Sequence, residues 1–351
     1  FHHAIGAAYL MKQALQTLKN QGKKISNDEE LGVTLAVLLH DIGHGPFSHA
    51  LEKSFLHNID HESVSLFFME HLNQTFNGAL SIAISIFKDE YPKKYLHKLV
   101  SSQLDMDRLD YLKRDSFFTG VSEGVVSNDR IIKMFAINND EIVIREKGIY
   151  SIEKFIIARR LMYWQVYLHK TVLSAEFLLE QIINRARQLI HAGEKLFVPD
   201  EIRLFLSNKI GRKLISKTEN LKAFSIIDDY DVFYCVKSWS KSKDRVLSLL
   251  CNMMINRTLP KVKTSPVAFN STEIGDLKLA HKMRLGLNDD EISYFVYQKE
   301  MENNAYDSAK DEIKILFKDG SLKDITEASD NLNIRALSNV VKKYYLFSPS
   351  F

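Results

Sequence analysis

Seven of the twelve histidines, His2, His3, His40, His44, His49, His57 and His61, fall within the first 61 residues. Imidazoles and carboxylates that converge from different helices hold divalent ions, and an imidazole titrating near neutral pH can also carry a proton to or from a reacting group. His40 and Asp41 supply one ligand of each kind from adjacent positions. Helix neighbours project about 100° apart, so the pair can serve one ion only at the frayed end of a helix, just before Gly43. Asp107 is the best distal candidate, because Asp107, Tyr111 and Asp115 recur at i, i+4 and i+8 and line one face. His3 is the best proximal candidate, standing at the start of a helical pattern whose remaining faces are apolar.

The elements that must position these groups are mostly helices. Ile5, Ala8, Leu10, Ala14, Leu15 and Leu18 recur at helical spacing and Gly22 supplies a stop. Ser26 and Glu29 resemble a capping box, and the run 31–39 is apolar on nearly every face, which places its helix inside a bundle. It ends at His40-Asp-Ile-Gly-His-Gly-Pro-Phe-Ser-His49, where two glycines and a proline break the helix after carrying polar groups inward. Short helices are expected over 60–73, 79–88, 93–100, 103–117 and 128–135, and a β-hairpin over 141–148. One long helical stretch covers 151–191, with further helices near 201–207, 230–238 and 243–255.

After Arg257 the character changes. Strands are expected at 258–264, 292–298 and 312–317, the last returning through Asp319-Gly320, with a mobile polar loop over 299–311. The expected fold class is therefore mainly α, an all-α domain over 1–256 whose motifs occupy 1–190, followed by a small α+β lobe over 257–351.

Composition narrows the partners. Across 351 residues, 47 Lys+Arg against 44 Asp+Glu leave a net charge of +3, too balanced for a general electrostatic grip on nucleic acid or anionic lipid. An anionic ligand must be held by a local pocket. Cys235 and Cys251 form neither a CxxC motif nor a disulfide ladder, which points to a reducing cytoplasm. No run of about 18 apolar residues suggests a membrane span. The opening residue, Phe1, leads to the expectation of further sequence upstream.

Four stretches, Phe1-His-His-Ala-Ile-Gly6, His40 to His49, Asp107-Arg-Leu-Asp-Tyr-Leu-Lys-Arg-Asp115 and Tyr167-Leu-His-Lys170, carry a resemblance in their order and spacing. They resemble the HD-domain metal-dependent phosphohydrolases, whose ligand signature is H…HD…D. Within that superfamily they are most similar to the deoxynucleoside triphosphate triphosphohydrolases, which include bacterial dGTPases and the vertebrate enzyme whose HD domain follows a sterile alpha motif. The resemblance implies that His3, His40, Asp41 and Asp107 hold one divalent ion: manganese, iron, zinc, magnesium or nickel. It implies water attack on the α-phosphorus of a deoxynucleoside triphosphate, with a possible bias to dGTP, giving deoxynucleoside and inorganic triphosphate. His49 becomes the general acid, with Glu52 and His61 as its relay. His44, Arg108, Arg159 and Lys170 would neutralise phosphate oxygens, Tyr111 and Asp115 would meet the sugar 3′-hydroxyl, and Tyr167 would crowd a 2′-hydroxyl. Kinship also implies a homo-oligomer and an allosteric nucleotide.

The chain departs from that pattern, and two of the departures are substitutions. Glu52 stands where the vertebrate enzyme has Asp, and Leu168 stands where it has a base-contacting glutamine. Blander readings accompany the functional ones. Asp110 reads as a solvent-facing carboxylate or a salt-bridge partner of Arg114 at i+4. Ile157, Leu161, Trp164 and Leu168 form a packing stripe. Lys209 to Lys217 reads as a solvated face. The alternatives in function are another HD phosphohydrolase, acting on a nucleoside monophosphate, a cyclic nucleotide or a guanosine polyphosphate, and a non-catalytic nucleotide-sensing module.

Overall fold

Helix His2–Asn20 buries Ala7, Leu10, Met11, Ala14, Leu15 and Leu18, the i, i+3, i+4 stripe of an amphipathic helix. The helix Asn27–Leu39 that follows starts in the expected capping box: Glu29 N–H donates to Ser26 Oγ at 3.1 Å and Ser26 N–H to Glu29 Oε2 at 2.8 Å. The structure, a computed structural model, describes residues 1–350 apart from 310, 332, 333, 335 and 336. Two compact units divide the chain, and neither is continuous in sequence. Segment 257–351, expected as one lobe, contributes to both.

The first unit comprises Phe1–Gly43, Ser65–Tyr167 and Asn303–Val341. Its core gathers Met11, Leu15, Val33, Val37, Leu99, Leu109, Phe135 and Phe155, all fully buried. Helix Ser81–Phe87 crosses Asn27–Leu39 at Gly32, where a Cβ would strike the Ile82 side chain. Helices Lys94–Val100 and Met106–Thr119 follow, the second ending at Gly120 in the left-handed region (φ 73°). The hairpin pairs β1 (Phe135–Asn138) with β2 (Glu141–Arg145) through Asn139 and Asp140, both at positive φ, as a two-residue turn of this hand requires. Helix Ile149–Met162 passes into a π-helical turn, Tyr163–Tyr167.

The second unit comprises His44–Val64, Leu168–Glu302 and Lys342–Phe351. Its main helix, Lys170–His191, buries Leu173, Leu178, Leu179, Ile182, Ile183, Ala186 and Leu189, and packs against Arg245–Ile255. A three-stranded sheet in the order β3-β7-β4 is formed by β3 (Lys261–Ser265), β4 (Tyr297–Asn303) and β7 (Val341–Ser348). In the first unit β5 (Lys314–Leu316) and β6 (Leu322–Asp324) extend the hairpin into a four-stranded sheet, β5 lying parallel to β2.

The fold is mainly α with small sheets, as the sequence leads one to expect. Several elements differ in detail. The stretch 151–191 is broken at Leu168 and His169, where His169 takes an extended conformation and its Nδ1 accepts the Thr171 N–H, starting a new helix. Residues 289–292 are helical because Asn288 and Glu291 form a capping box, so the strand expected at 292–298 begins later. Of the loop expected over 299–311, residues 299–303 lie in β4, and Lys299 pairs with Glu180 at 3.1 Å; Lys310 lies outside the described residues. Among the described residues no helix is long and apolar enough to cross a membrane.

Candidate metal centre

Three helix ends in the first unit place four ligand atoms together. His3 stands in the first turn of His2–Asn20, His40 and Asp41 follow the end of Asn27–Leu39, and Asp107 stands in the first turn of Met106–Thr119. One atom from each of His3, His40, Asp41 and Asp107 lies within 4.8 Å of all the others. His3 Nε2 is 2.9 Å from Asp107 Oδ1 and 3.6 Å from Asp41 Oδ2. His40 Nε2 is 3.4 Å from Asp107 Oδ1 and 3.3 Å from Asp41 Oδ2.

The outer atoms fix which nitrogens face inward. His40 Nδ1–H donates to the Val37 carbonyl at 2.6 Å, which turns Nε2 toward the carboxylates. That Nε2 is buried and makes no hydrogen bond. His3 Nδ1–H donates to Asp110 Oδ2 at 2.7 Å, and Asp110 is gripped on its other side by Arg114, whose Nε and NH2 donate at 2.7 and 2.9 Å. Burial opposes charge on His3, but its bonds to Asp107 and Asp110 outweigh burial and lift the imidazole to about 10. Burial likewise opposes ionisation of Asp107, and the two imidazoles hold its carboxyl well below the usual range. Two imidazoles, two carboxylates and an orphaned ring nitrogen fit a divalent ion of the first transition row.

The same helix carries a second set of groups. Tyr111 and Asp115 lie one and two turns beyond Asp107, and Tyr167 Oη–H donates to Asp115 Oδ2 at 2.6 Å. Tyr167 packs edge-on against Tyr111, with centroids 6.1 Å apart, and against Tyr163 at 5.2 Å. The π-helical turn aims Tyr163 and Tyr167 at this wall, and such turns recur at functional sites. Arg108, expected to neutralise phosphate oxygens, already has a carboxylate partner. It is paired with Asp105, which is fully buried, caps the helix by accepting the Arg108 N–H at 2.7 Å, and accepts the Ser102 N–H at 2.8 Å. Arg159 lies over the Tyr163 ring at 6.0 Å.

With this geometry in place, the HD domain family matches residues 1–115 and the HD-associated region matches residues 126–206. A phosphohydrolase of Bacteroides thetaiotaomicron, known from a crystal structure, is 49% identical with a TM-score of 0.94, over 99% of this chain and 86% of that one. The chain belongs to the HD-domain phosphohydrolases. This is a family of metal-dependent hydrolases, and one divalent ion is its cofactor here. The uncharacterized protein YwfO of Bacillus subtilis is 33% identical over 74% of this chain and 59% of its own length. A Dictyostelium discoideum protein named deoxynucleoside triphosphate triphosphohydrolase SAMHD1 homolog is 26% identical over 68% of this chain and 53% of its own. The HD chain thus spans less than two thirds of either relative.

The remaining HD histidines form their own cluster in the second unit. His44 stacks on His61, with centroids 4.0 Å apart and planes 12° apart, and His49 stands edge-on to both. Glu52 bridges two of them: Oε1 accepts the His61 backbone N–H at 2.7 Å and lies 3.2 Å from His61 Nδ1, while Oε2 lies 3.4 Å from His49 Nδ1. Burial opposes ionisation of Glu52, and the His61 bonds lower its carboxyl in spite of it. The three rings are close enough to be considered as a metal site. Nearly parallel planes prevent it, because the His44 and His61 lone pairs cannot converge on one ion about 2 Å from each. Phe47 and Ser48, at φ 56° and 46°, hold the backbone that presents His49 in the left-handed region, and Phe47 N–H is tied to Asp229 Oδ1 at 2.8 Å. Lys170 is exposed in the first turn of its helix.

Sequence reasoning misses several supporting groups. Asp110 is only 8% exposed, so it is not solvent-facing; it pairs with Arg114 and also orients His3. Gly6 leaves space for it, since a Cβ there would overlap Asp110 Oδ1 and Arg114 NH2. Ser65 accepts the Gly43 N–H at 2.8 Å and anchors the break after His40 and Asp41. Glu176 is the electrostatic neighbour of His49, its carboxyl pushed up by burial. For Asp110 the sequence signal reached the i+4 pairing with Arg114, which the structure contains, and not the contact with His3; the others left none.

Proposed function

We propose that this HD phosphohydrolase cleaves deoxynucleoside triphosphates to deoxynucleoside and inorganic triphosphate. The observation that carries the reading is the Tyr111, Asp115 and Tyr167 wall, one and two helical turns from Asp107: a hydrogen-bonding carboxylate flanked by aromatic rings suits a sugar. The name of the Dictyostelium relative supports the same substrate class.

When bound to His3, His40, Asp41 and Asp107, a divalent ion polarises a phosphoryl oxygen and acidifies water. Asp115 accepts a hydrogen bond from the 3′-hydroxyl, with Tyr111 beside it, and the Tyr167 ring crowds a 2′-hydroxyl. Arg159 and Arg108 face the phosphate chain with unequal strength, because Asp105 already offsets Arg108. The roles of His49 as proton donor to the leaving 5′ oxygen, of Glu52 and His61 as its relay, and of His44 and Lys170 at phosphate rest on the sequence motifs. Water oxygen bonds to the α-phosphorus, the bond to the 5′ oxygen breaks, and that oxygen takes the proton. A preference for dGTP, nucleotide activation and homo-oligomerisation belong to the same reading.

The test is chromatography of products from each dNTP, singly and mixed, with Mn²⁺ or Mg²⁺. Metal-dependent tripolyphosphate that vanishes in Asp107→Ala is expected, and turnover only in the mixture reveals an activating nucleotide. If no dNTP releases tripolyphosphate with any metal, the reading fails.

A further inference from the structure

Three arginines of the first unit have partners that differ in charge. Arg108 is paired with Asp105, and Arg114 with Asp110. Arg159 is held by an amide, its NH1 donating to Gln103 Oε1 at 2.8 Å, while its Nε is buried without a hydrogen bond. Among the described residues no carboxylate lies within ion-pairing distance of Arg159.

Gln103 is itself fixed. It is 6% exposed, its Nε2 donates to the Asp307 carbonyl at 3.1 Å, and its backbone N–H donates to Asp311 Oδ2 at 3.2 Å. Asp311 is in turn paired with Lys98 at 2.8 Å. A carbonyl can only accept, so the amide nitrogen must face Asp307 and the amide oxygen must face Arg159. Glutamate has the same size and would bind the guanidinium more strongly, but it would cancel the charge and could not donate to the Asp307 carbonyl.

We infer that Gln103 is a positioning residue that orients Arg159 without neutralising it, so that the whole guanidinium charge is kept for the phosphate chain of the substrate. This inference rests on the proposed triphosphate reading. It explains why the acceptor is neutral where Arg108 and Arg114 have carboxylates. Gln103→Glu and Gln103→Met both lose the donor to the Asp307 carbonyl, so they differ in what Arg159 meets: the first keeps the acceptor and adds a charge, and the second removes the acceptor at similar volume without adding charge.

The experiment measures KM and kcat for dNTP hydrolysis, and calorimetric binding of inorganic tripolyphosphate, for the wild type, Gln103→Glu and Gln103→Met, each confirmed folded by its melting transition. In Gln103→Glu, KM and the tripolyphosphate Kd rise at least tenfold, by more than kcat falls. Gln103→Met shows a smaller rise in both. In an Arg159→Met background the Glu substitution has no further effect on tripolyphosphate binding. If both Gln103 variants bind tripolyphosphate within twofold of wild type, or if the Glu effect persists without Arg159, the inference is overturned. A wild type that cleaves no dNTP defeats the substrate reading separately, because tripolyphosphate binding still reads the Gln103–Arg159 pair.

Discussion

Asp110 Oδ2 lies 2.7 Å from His3 Nδ1, at the ring nitrogen that does not face the ligand cluster. A carboxylate that accepts from the outer nitrogen of a metal-binding imidazole fixes its tautomer and raises its basicity. Asp110→Asn keeps the size and one acceptor but loses the charge. Metal affinity is expected to fall roughly 10- to 100-fold. Mn²⁺ titration followed by electron paramagnetic resonance reads it, and an unchanged Kd would remove Asp110 from the site.

Gly6 tests the same pair from the opposite side. Replacing glycine by alanine inside a helix ordinarily stabilises by about 1 kcal/mol. Here the new methyl would overlap Asp110 Oδ1 and Arg114 NH2, so the sign reverses. Gly6→Ala is expected to cost roughly 1–3 kcal/mol as an overpacked site and to weaken metal binding alongside Asp110→Asn. Urea unfolding gives the first quantity; a more stable variant with full metal affinity contradicts the close approach.

The clustering of His3, His40, Asp41 and Asp107 was legible because H…HD…D fixes residue types and chain order together, whereas the groups that support the cluster were not. Asp110 is one of four acids in the span from Asp105 to Asp115, and nothing in the sequence says that the outer edge of His3 turns toward it. The fold shows the same division. Helix Ser271–Leu285 has no apolar stripe, with Leu285 its one buried residue among those described, so no helical period announced it. Strand β7 buries three consecutive residues, Tyr345, Leu346 and Phe347, and lacks the alternation of a half-buried strand. The break before Lys170 carries no glycine or proline, because a π-helical turn and the His169 cap perform it.

Tyr167 separates hydrogen bonding from bulk. Tyr167→Phe removes the donor to Asp115 but keeps the ring, so discrimination against ribonucleotides is expected to persist while kcat/KM for dNTPs falls several-fold. Tyr167→Ala removes the ring and is expected to narrow the dNTP to NTP ratio by at least tenfold, the order of effect that a changed pocket contact produces. Product analysis with paired dGTP and GTP reads both; equal ratios in wild type and Tyr167→Ala would place the discrimination elsewhere.

Stability in the second unit depends on an ion pair that is also a helix cap. Asp244 accepts the Leu247 N–H at 2.8 Å at the start of Arg245–Ile255, and Arg185 on the long helix grips it through Nε at 3.0 Å and NH2 at 2.5 Å. Burial opposes ionisation of Asp244, and the Arg185 bonds followed by the Leu247 bond bring its carboxyl below the ordinary value of 3.8. Because the folded value is the lower one, this stabilisation is fully present above the unfolded value and is lost as the pH falls through the folded one. Asp244→Ala removes the cap, worth about 1 kcal/mol, and leaves Arg185 largely buried without its partner. The expected loss is roughly 2–4 kcal/mol at neutral pH. It should shrink as both proteins are unfolded at progressively lower pH, since the wild type then surrenders the same interaction. A loss that stays constant from pH 7 to pH 3 would show that the Asp244 charge contributes nothing and that the cap alone is at work.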